Sequence, residues 1–293
     1  MKTKNKIIFS LVALLIVYLS LAMIAPEKLE NKKVFEGDTF RIAHRCGAKN
    51  FPENTLFACK KIVENNLADF LEMDVHLTKD NVLVVIHDDD VENTTNSKGL
   101  VKDFTYSEIQ KLDAGYKFST DGQKTFPFRD QGIKIERLDN FFEALPNSKY
   151  YIEVKVNSTV AAQILTDIIK KYKMEDKVVV GSFEQTINNE LRKLLPNSAL
   201  FGSKDEIMKW VILQKLNLTG LSSFHSHTLA IPPKKSILSI GKSLMKSARN
   251  QNIKIHVWTI NEEPEMKRLI NMGVDGIMTD DPILLNKVRN RKK

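Results

Sequence analysis

From residue 39 onward, short apolar runs rich in β-branched residues alternate with segments of helical periodicity. Such alternation predicts parallel strands joined by helical crossovers. Strands are predicted over 39–46, 69–77, 82–87, 150–156, 177–183, 198–203, 220–225, 253–260 and 274–279, and helices over 55–66, 138–145, 158–173, 185–195, 205–216, 235–251 and 262–272. One link breaks the rhythm. Only Thr78-Lys79-Asp80-Asn81 separates the second and third strands, and four residues cannot make a parallel crossover. Segment 82–87 is therefore expected to fold back as a hairpin arm. Leaving it out gives eight parallel strands, the number that closes a TIM barrel. The fold class expected is α/β, a TIM-type (β/α)8 barrel spanning 39–293. Residues 88–137 are polar, rich in turn signals and fit no barrel unit, so they read as an insertion after the second strand that caps the barrel.

The N-terminus has a different character. Lys2, Lys4 and Lys6 precede an uncharged apolar run from Ile7 to Ile24, near the shortest length that crosses a bilayer. Residues 1–25 are read as a membrane anchor. The leading lysines would stay cytoplasmic, so the catalytic domain would be extracytoplasmic. Lys28, Lys32 and Lys33 beyond the run weaken that orientation. The alternative is a cleavable signal with Ser20-Leu21-Ala22 as its small-x-small site, giving a secreted or periplasmic protein. Residues 26–38 read as a polar linker.

Lys and Arg exceed Asp and Glu by 44 to 36, a net charge of +8. That favours anionic partners such as phosphate esters or anionic lipid surfaces, although scattered lysines on a solvated surface account for most of it. No compact basic block or zinc-finger spacing accompanies the charge, so no nucleic-acid partner is expected. The two cysteines, Cys46 and Cys59, match no disulfide scaffold or zinc motif. Two buried free thiols are expected, with a Cys46–Cys59 bridge as the alternative.

Four clusters carry chemistry. His44 and Arg45 close the first apolar strand and should emerge at the C-terminal rim, where barrel active sites lie. Arginine suits bidentate phosphate recognition. Asn54 or Thr55 is expected to cap the following helix. In Phe70-Leu71-Glu72-Met73-Asp74-Val75, residues two apart share a face. Leu71, Met73 and Val75 suit packing against helices, so Glu72 and Asp74 should face the barrel interior. Two inward carboxylates are costly without a compensating cation. A divalent metal is one such cation, and a buried Lys or Arg is the competing one. His87, at the end of the hairpin arm, is positioned to lean over the mouth. Glu153 and Lys155 again share one strand face. If that face is interior, three carboxylates with water make a hard-cation site for Mg²⁺ or Ca²⁺ rather than Zn²⁺, and Lys155 would help neutralise a phosphorane. Trp258 is a candidate pocket wall. His225, His227 and His256 read as structural, and Gly273 and Gly276 as turn residues.

Taken in order, His44-Arg45 with Pro52-Glu53-Asn54-Thr55, Glu72-x-Asp74, His87-Asp88, Glu153-x-Lys155, Trp258-Thr259 and Gly276-x-x-Thr279-Asp280 resemble the pattern of the glycerophosphodiester phosphodiesterase family, over residues 40 to 286. The resemblance implies a TIM barrel with a small insertion after the His-Asp pair, a divalent metal, and release of glycerol 3-phosphate and an alcohol. By motif position it implies Glu72, Asp74 and Glu153 as metal ligands, His44 and His87 as the acid–base pair, and Arg45 and Lys155 as phosphate contacts, with Trp258 the expected substrate-binding wall against glycerol or the leaving group. The family usually has glycine where this chain has Cys46, with Gly47 next. A position needing positive φ would strain a cysteine. The expected substrate is a small-molecule glycerophosphodiester. A membrane lysophospholipid cleaved by lysophospholipase D activity is the alternative, and a non-catalytic phosphodiester-binding protein is a third reading.

Overall fold

The structure is a computed structural model that describes residues 2–37, 39–235 and 238–290. The strands are β1 Phe40–Ala43, β2 Phe70–Leu77, β3 Leu83–Val85, β4 Lys149–Val154, β5 Val178–Gly181, β6 Ala199–Leu200, β7 Thr228–Ile231, β8 Lys234–Lys235, β9 Leu238–Ser239, β10 Lys254–Val257 and β11 Gly276–Thr279. The α-helices are α1 Lys2–Ala22, α2 Leu56–Glu64, α3 Tyr106–Ile109, α4 Leu138–Ala144, α5 Thr159–Lys171, α6 Gln185–Leu194, α7 Lys204–Lys215, α8 Lys242–Asn250, α9 Glu263–Met272 and α10 Pro282–Asn290.

Eight parallel strands run in the order β6-β5-β4-β2-β1-β11-β10-β7. A parallel bridge from Phe201 to Thr228 joins the two ends, so the sheet curls into the expected TIM-type barrel. β3 pairs antiparallel with β2, Val75 opposite Val85, as the four-residue link required. The strands are buried on both faces because helices cover the outside. In β2, Leu71, Met73 and Val75 join the apolar layer beneath α2, α4 and α5. The inward Ile42, Phe70, Tyr151, Val179 and Met278 fill the barrel itself. Val34 and Phe35 join that interior layer, and the Phe35 ring lies edge-on to His256 with centroids 5.8 Å apart.

Four local expectations are corrected. The strand expected at 220–225 is instead a 3-10 turn over Thr219–Leu221. The barrel strand there is β7, because Phe224 leaves the sheet path to pack on Trp210. The helix expected over 235–251 is shortened to α8, behind a small β8–β9 hairpin that follows Pro232-Pro233; residues 236 and 237 lie outside the described residues. Cys46 and Cys59 form a disulfide rather than two thiols, because the turn after β1 lies against the first turn of α2, with the two Cα atoms 5.0 Å apart. Gly276 serves no turn: it starts β11, where a Cβ would stand 2.7 Å from the His256 ring. Gly273 does end α9 in the left-handed region at φ 77°. Two helices were not foreseen: the short α3 inside the insertion, and α10, which opens with Pro282.

Candidate active site

The turn after β1 runs through three consecutive left-handed residues, Arg45, Cys46 and Gly47, at φ 50°, 57° and 87°. For the two non-glycine residues this costs roughly 1 kcal/mol or more each. Three contacts hold the turn: the Arg45 amide donates to Glu72 Oε2 at 2.6 Å, Asn54 donates its amide to the Arg45 carbonyl at 2.9 Å, and the disulfide ties Cys46 to α2. The positive φ feared for Cys46 is therefore present. The turn carries the His44 imidazole and the Arg45 guanidinium at the C-terminal rim, where Arg45 Nη1 donates to Glu53 Oε1 at 3.0 Å. Thr55, rather than Asn54, caps α2 by accepting from the Ala58 amide. Asn54 instead clamps Asp74, donating Nδ2 to its carboxylate at 3.1 Å and accepting its amide at 3.2 Å.

β2 and β4 supply the carboxylates. Their parallel register sets Glu72 beside Tyr151 and Asp74 beside Glu153, so all four side chains face inward. Glu72 and Asp74 are 3% and 1% exposed. Burial and the Asp74 charge push the Glu72 pKa well above the carboxylate range. Burial and Asp74 do the same to Glu153, with Lys155 holding it back. The Lys155 ammonium lies 3.3 Å from Glu153 Oε1 and 3.7 Å from Asp74 Oδ1. Burial opposes its charge, but these two carboxylates outweigh that and raise its pKa.

The two imidazoles are each backed by an aspartate. His44 Nδ1 meets Asp280 Oδ1 at 2.5 Å. Asp280 is itself fixed by Asn261, which donates to its other oxygen at 2.6 Å and accepts its amide at 2.9 Å. Burial alone would lower the His44 pKa; the Glu72 charge and the Asp280 hydrogen bond outweigh it and raise it. His87 Nδ1 meets Asp88 Oδ1 at 2.7 Å, and Asn93 holds the other Asp88 oxygen at 2.7 Å. His87 Nε2 lies 3.2 Å from Lys155 Nζ. An ammonium only donates, so Nε2 is the acceptor and the proton sits on Nδ1.

His44, Arg45, Glu72, Asp74, His87, Glu153, Lys155 and Trp258 all line one cavity of about 250 Å³ at the barrel mouth. Phe183 and Phe201 complete its apolar wall with Trp258. His256 lies below, fully buried, its pKa pushed down to about 3 by burial. Asn54, Asp280 and Asn261 were not singled out as site residues from sequence. The first two stand inside motifs already noted, whereas Asn261 follows Trp258-Thr259 without any signal of its own.

The donor set suits a hard divalent cation, being two buried carboxylates and a third, Glu153, that is partly exposed, whose mutual repulsion a cation would relieve. Among the described residues, however, no three His, Cys, Asp or Glu side chains close into a ready-made cage. Asp74 and Glu153 turn toward Lys155, and Glu72 toward the Arg45 amide.

Comparison with known proteins matches residues 44–284 to the model of the glycerophosphoryl diester phosphodiesterase family. A glycerophosphodiester phosphodiesterase of Caldanaerobacter subterraneus subsp. tengcongensis is 35% identical over 259 residues, 86% of this chain and 98% of the relative. A human protein named lysophospholipase D GDPD1 is 27% identical over 289 residues, 89% of each chain. An Oleispira antarctica phosphodiesterase, solved in complex with the product sn-glycerol-3-phosphate, shares the fold with a TM-score of 0.70 at 22% identity, over 88% of this chain and 99% of that one.

Proposed function

The chain belongs to the glycerophosphoryl diester phosphodiesterase family and is a phosphoric diester hydrolase, and we propose that it cleaves glycerophosphodiesters to glycerol 3-phosphate and an alcohol through the pair His44 and His87. The observation that carries this reading is the cavity itself. Two aspartate-backed imidazoles, a guanidinium and an ammonium surround one small space above three carboxylates.

Arg45 and Lys155 bind the phosphate, and the wall of Trp258, Phe183 and Phe201 excludes water from one side. His87 Nε2, which carries no proton, is the base that takes the proton of the substrate's 2-hydroxyl as that oxygen attacks phosphorus. His44, whose pKa Glu72 and Asp280 raise, is the acid that delivers a proton to the departing alcohol oxygen. Water then opens the cyclic phosphate with the two roles exchanged: His44 accepts a proton from water, and His87 returns one to the 2-oxygen. A divalent cation, Mg²⁺ or Ca²⁺, bound by Glu72, Asp74 and Glu153, would supply added stabilisation of phosphate charge. The glycerol moiety of the Oleispira antarctica complex supports a glycerol 3-phosphate product.

Residues 1–25 are proposed as a membrane anchor, with 39–293 as the catalytic domain on the extracytoplasmic side. α1 has 21 residues, about 31 Å of helix against a hydrocarbon core of roughly 30 Å, and its apolar side chains are exposed. The disulfide supports an oxidising compartment. A signal peptide passes the same length test; recovery of the full-length chain in carbonate-washed membranes separates anchor from cleaved signal.

The test of activity is a substrate panel on the full chain, glycerophosphocholine against lysophosphatidylcholine, with Mg²⁺, Ca²⁺ or chelator. Release of glycerol 3-phosphate from glycerophosphocholine supports the reading. Turnover of lysophosphatidylcholine alone points to the activity named for the human relative.

A further inference from the structure

We propose that the catalytic domain rests on the bilayer by the base of its barrel, so that the mouth opens away from the lipid and takes its glycerophosphodiester from water. This rests on the anchoring reading of α1 and adds an orientation and a substrate phase to it.

The path of the chain out of α1 carries the argument. The Tyr18 hydroxyl donates to the Leu216 carbonyl at 3.0 Å. The Ile24 carbonyl oxygen fills the place where a Cβ on Gly220 would stand, 2.0 Å away. The Leu29 amide donates to the Gln251 carbonyl at 3.0 Å, and Asn252 Nδ2 donates to the Leu29 carbonyl at 2.8 Å. Lys32 donates to the Pro196 carbonyl at 3.2 Å, and Lys149 at the start of β4 donates to the Val34 carbonyl at 2.8 Å. Leu216, Gly220, Gln251, Asn252 and Pro196 all lie in connections that lead from a helix into the next strand. In a barrel of this kind every such connection is at the base, and the catalytic rim is at the opposite end. Residues 24–34 are thus fastened across the base. The six residues of β4 alone separate base from rim by about 20 Å.

The surface around the anchor agrees. Ile212 on α7, Leu216 just after its end and Leu221 beyond are exposed large apolar residues. They continue the apolar surface of α1 where Tyr18 and Ile24 touch 216–220. Basic residues occupy the last turns of α5, α6, α7, α8 and α10, among them Lys171, Lys193, Lys215, Arg249 and Lys287. They complement the helix dipoles, and because every one of these helix ends points to the base, they also make it a cationic face suited to anionic lipid headgroups. The occupant that fits an apolar patch on a cationic face joined to a spanning helix is a bilayer containing anionic lipid.

The experiment uses the full chain in vesicles of phosphatidylcholine and phosphatidylglycerol. The native cysteines are paired with each other, so a single introduced cysteine takes a nitroxide label uniquely. Val12→Cys reports the anchor, Leu221→Cys the base, and Lys98→Cys the insertion beside His87. Relaxation by oxygen, which concentrates in lipid, is compared with relaxation by a water-soluble nickel chelate. The expected result is oxygen-dominated relaxation at 12 and 221 and nickel-dominated relaxation at 98. In the same vesicles kcat/KM for glycerophosphocholine should exceed that for embedded stearoyl-lysophosphatidylcholine by at least about tenfold, because the mouth cannot reach the surface that holds the lipid. Lipid exposure at 12 and 98 together, or water exposure at 221 with lipid exposure at 12, overturns the orientation and leaves the anchor standing. Equal kcat/KM for the two substrates also overturns it. Water exposure at 12 removes the anchor itself, and the orientation with it.

Discussion

His44 and Asp280 share a 2.5 Å hydrogen bond across 236 residues of sequence, between the turn after β1 and the residue after β11. The two strands pair in register, Ala43 beside Thr279, so each places the residue just after it at the rim beside the other. The aspartate fixes the ring and selects the Nδ1 proton, leaving Nε2 toward the cavity. Asp280→Asn should therefore lower kcat by about 10- to 10²-fold with little change in KM, as read from steady-state hydrolysis of glycerophosphocholine. A kcat near wild type would mean that the pair does not serve the chemistry.

The histidines themselves should matter more. His44→Ala and His87→Ala are each expected to lower turnover by about 10²- to 10⁴-fold. On the proposed relay through both imidazoles, the double variant should fall little further than the worse single variant. Either single variant at wild-type rate removes that residue from the acid–base pair.

Removal of metal tests the carboxylate cluster. Excess EDTA should abolish turnover, and Mg²⁺ or Ca²⁺ added back should restore it. Glu153→Ala should lower metal affinity as well as rate, visible as a higher metal concentration for half-maximal activity. Undiminished activity in EDTA would point to a metal-free route over the same two imidazoles.

The disulfide closes a loop with a sequence separation of 13 residues, which on the chain-entropy account is worth about 3 kcal/mol. Cys46→Ser with Cys59→Ser should lower unfolding stability by that order, as measured by denaturant titration. Because the same bridge holds the left-handed turn that carries His44 and Arg45, the double variant should also lose kcat at temperatures where it remains folded. Full activity with lowered stability would confine the bridge to a structural part.

His256 gives the pH test of stability. Its pKa falls to about 3 in the folded barrel against about 6.5 in the unfolded chain. The unfolded state therefore binds the extra proton between those values. Stability is full above about pH 6.5 and is lost as pH falls toward 3. Replacing the ring by a non-titrating apolar group, His256→Leu, should flatten that part of the stability–pH curve, as followed by thermal unfolding between pH 7 and 4. An unchanged slope would assign the acid sensitivity to other groups.

Much of this was legible in the residues. The strand–helix rhythm, the four-residue link before the hairpin arm, and the two-residue spacing of Glu72 and Asp74 follow from local periodicity, which depends only on neighbours in the chain. The strand end at His44 and Arg45 likewise pointed to the rim, and Glu153 and Lys155 were expected to join it on condition that their shared face is interior. What depended on distance along the chain was not legible. Asn261 and Asp280 act on His44 only because β1 and β11 pair. The Cys46–Cys59 bridge depends on how the first turn settles against α2, and the barrel strand lies at 228–231 rather than at 220–225, with Phe224 packed against Trp210 of α7. The sequence alone determined the alternation, the inward faces and the kind of chemistry, since those are set by side-chain type and local period. The tertiary structure decided which charges meet and which end of the barrel carries the N-terminal helix, since both depend on contacts between segments far apart in the chain.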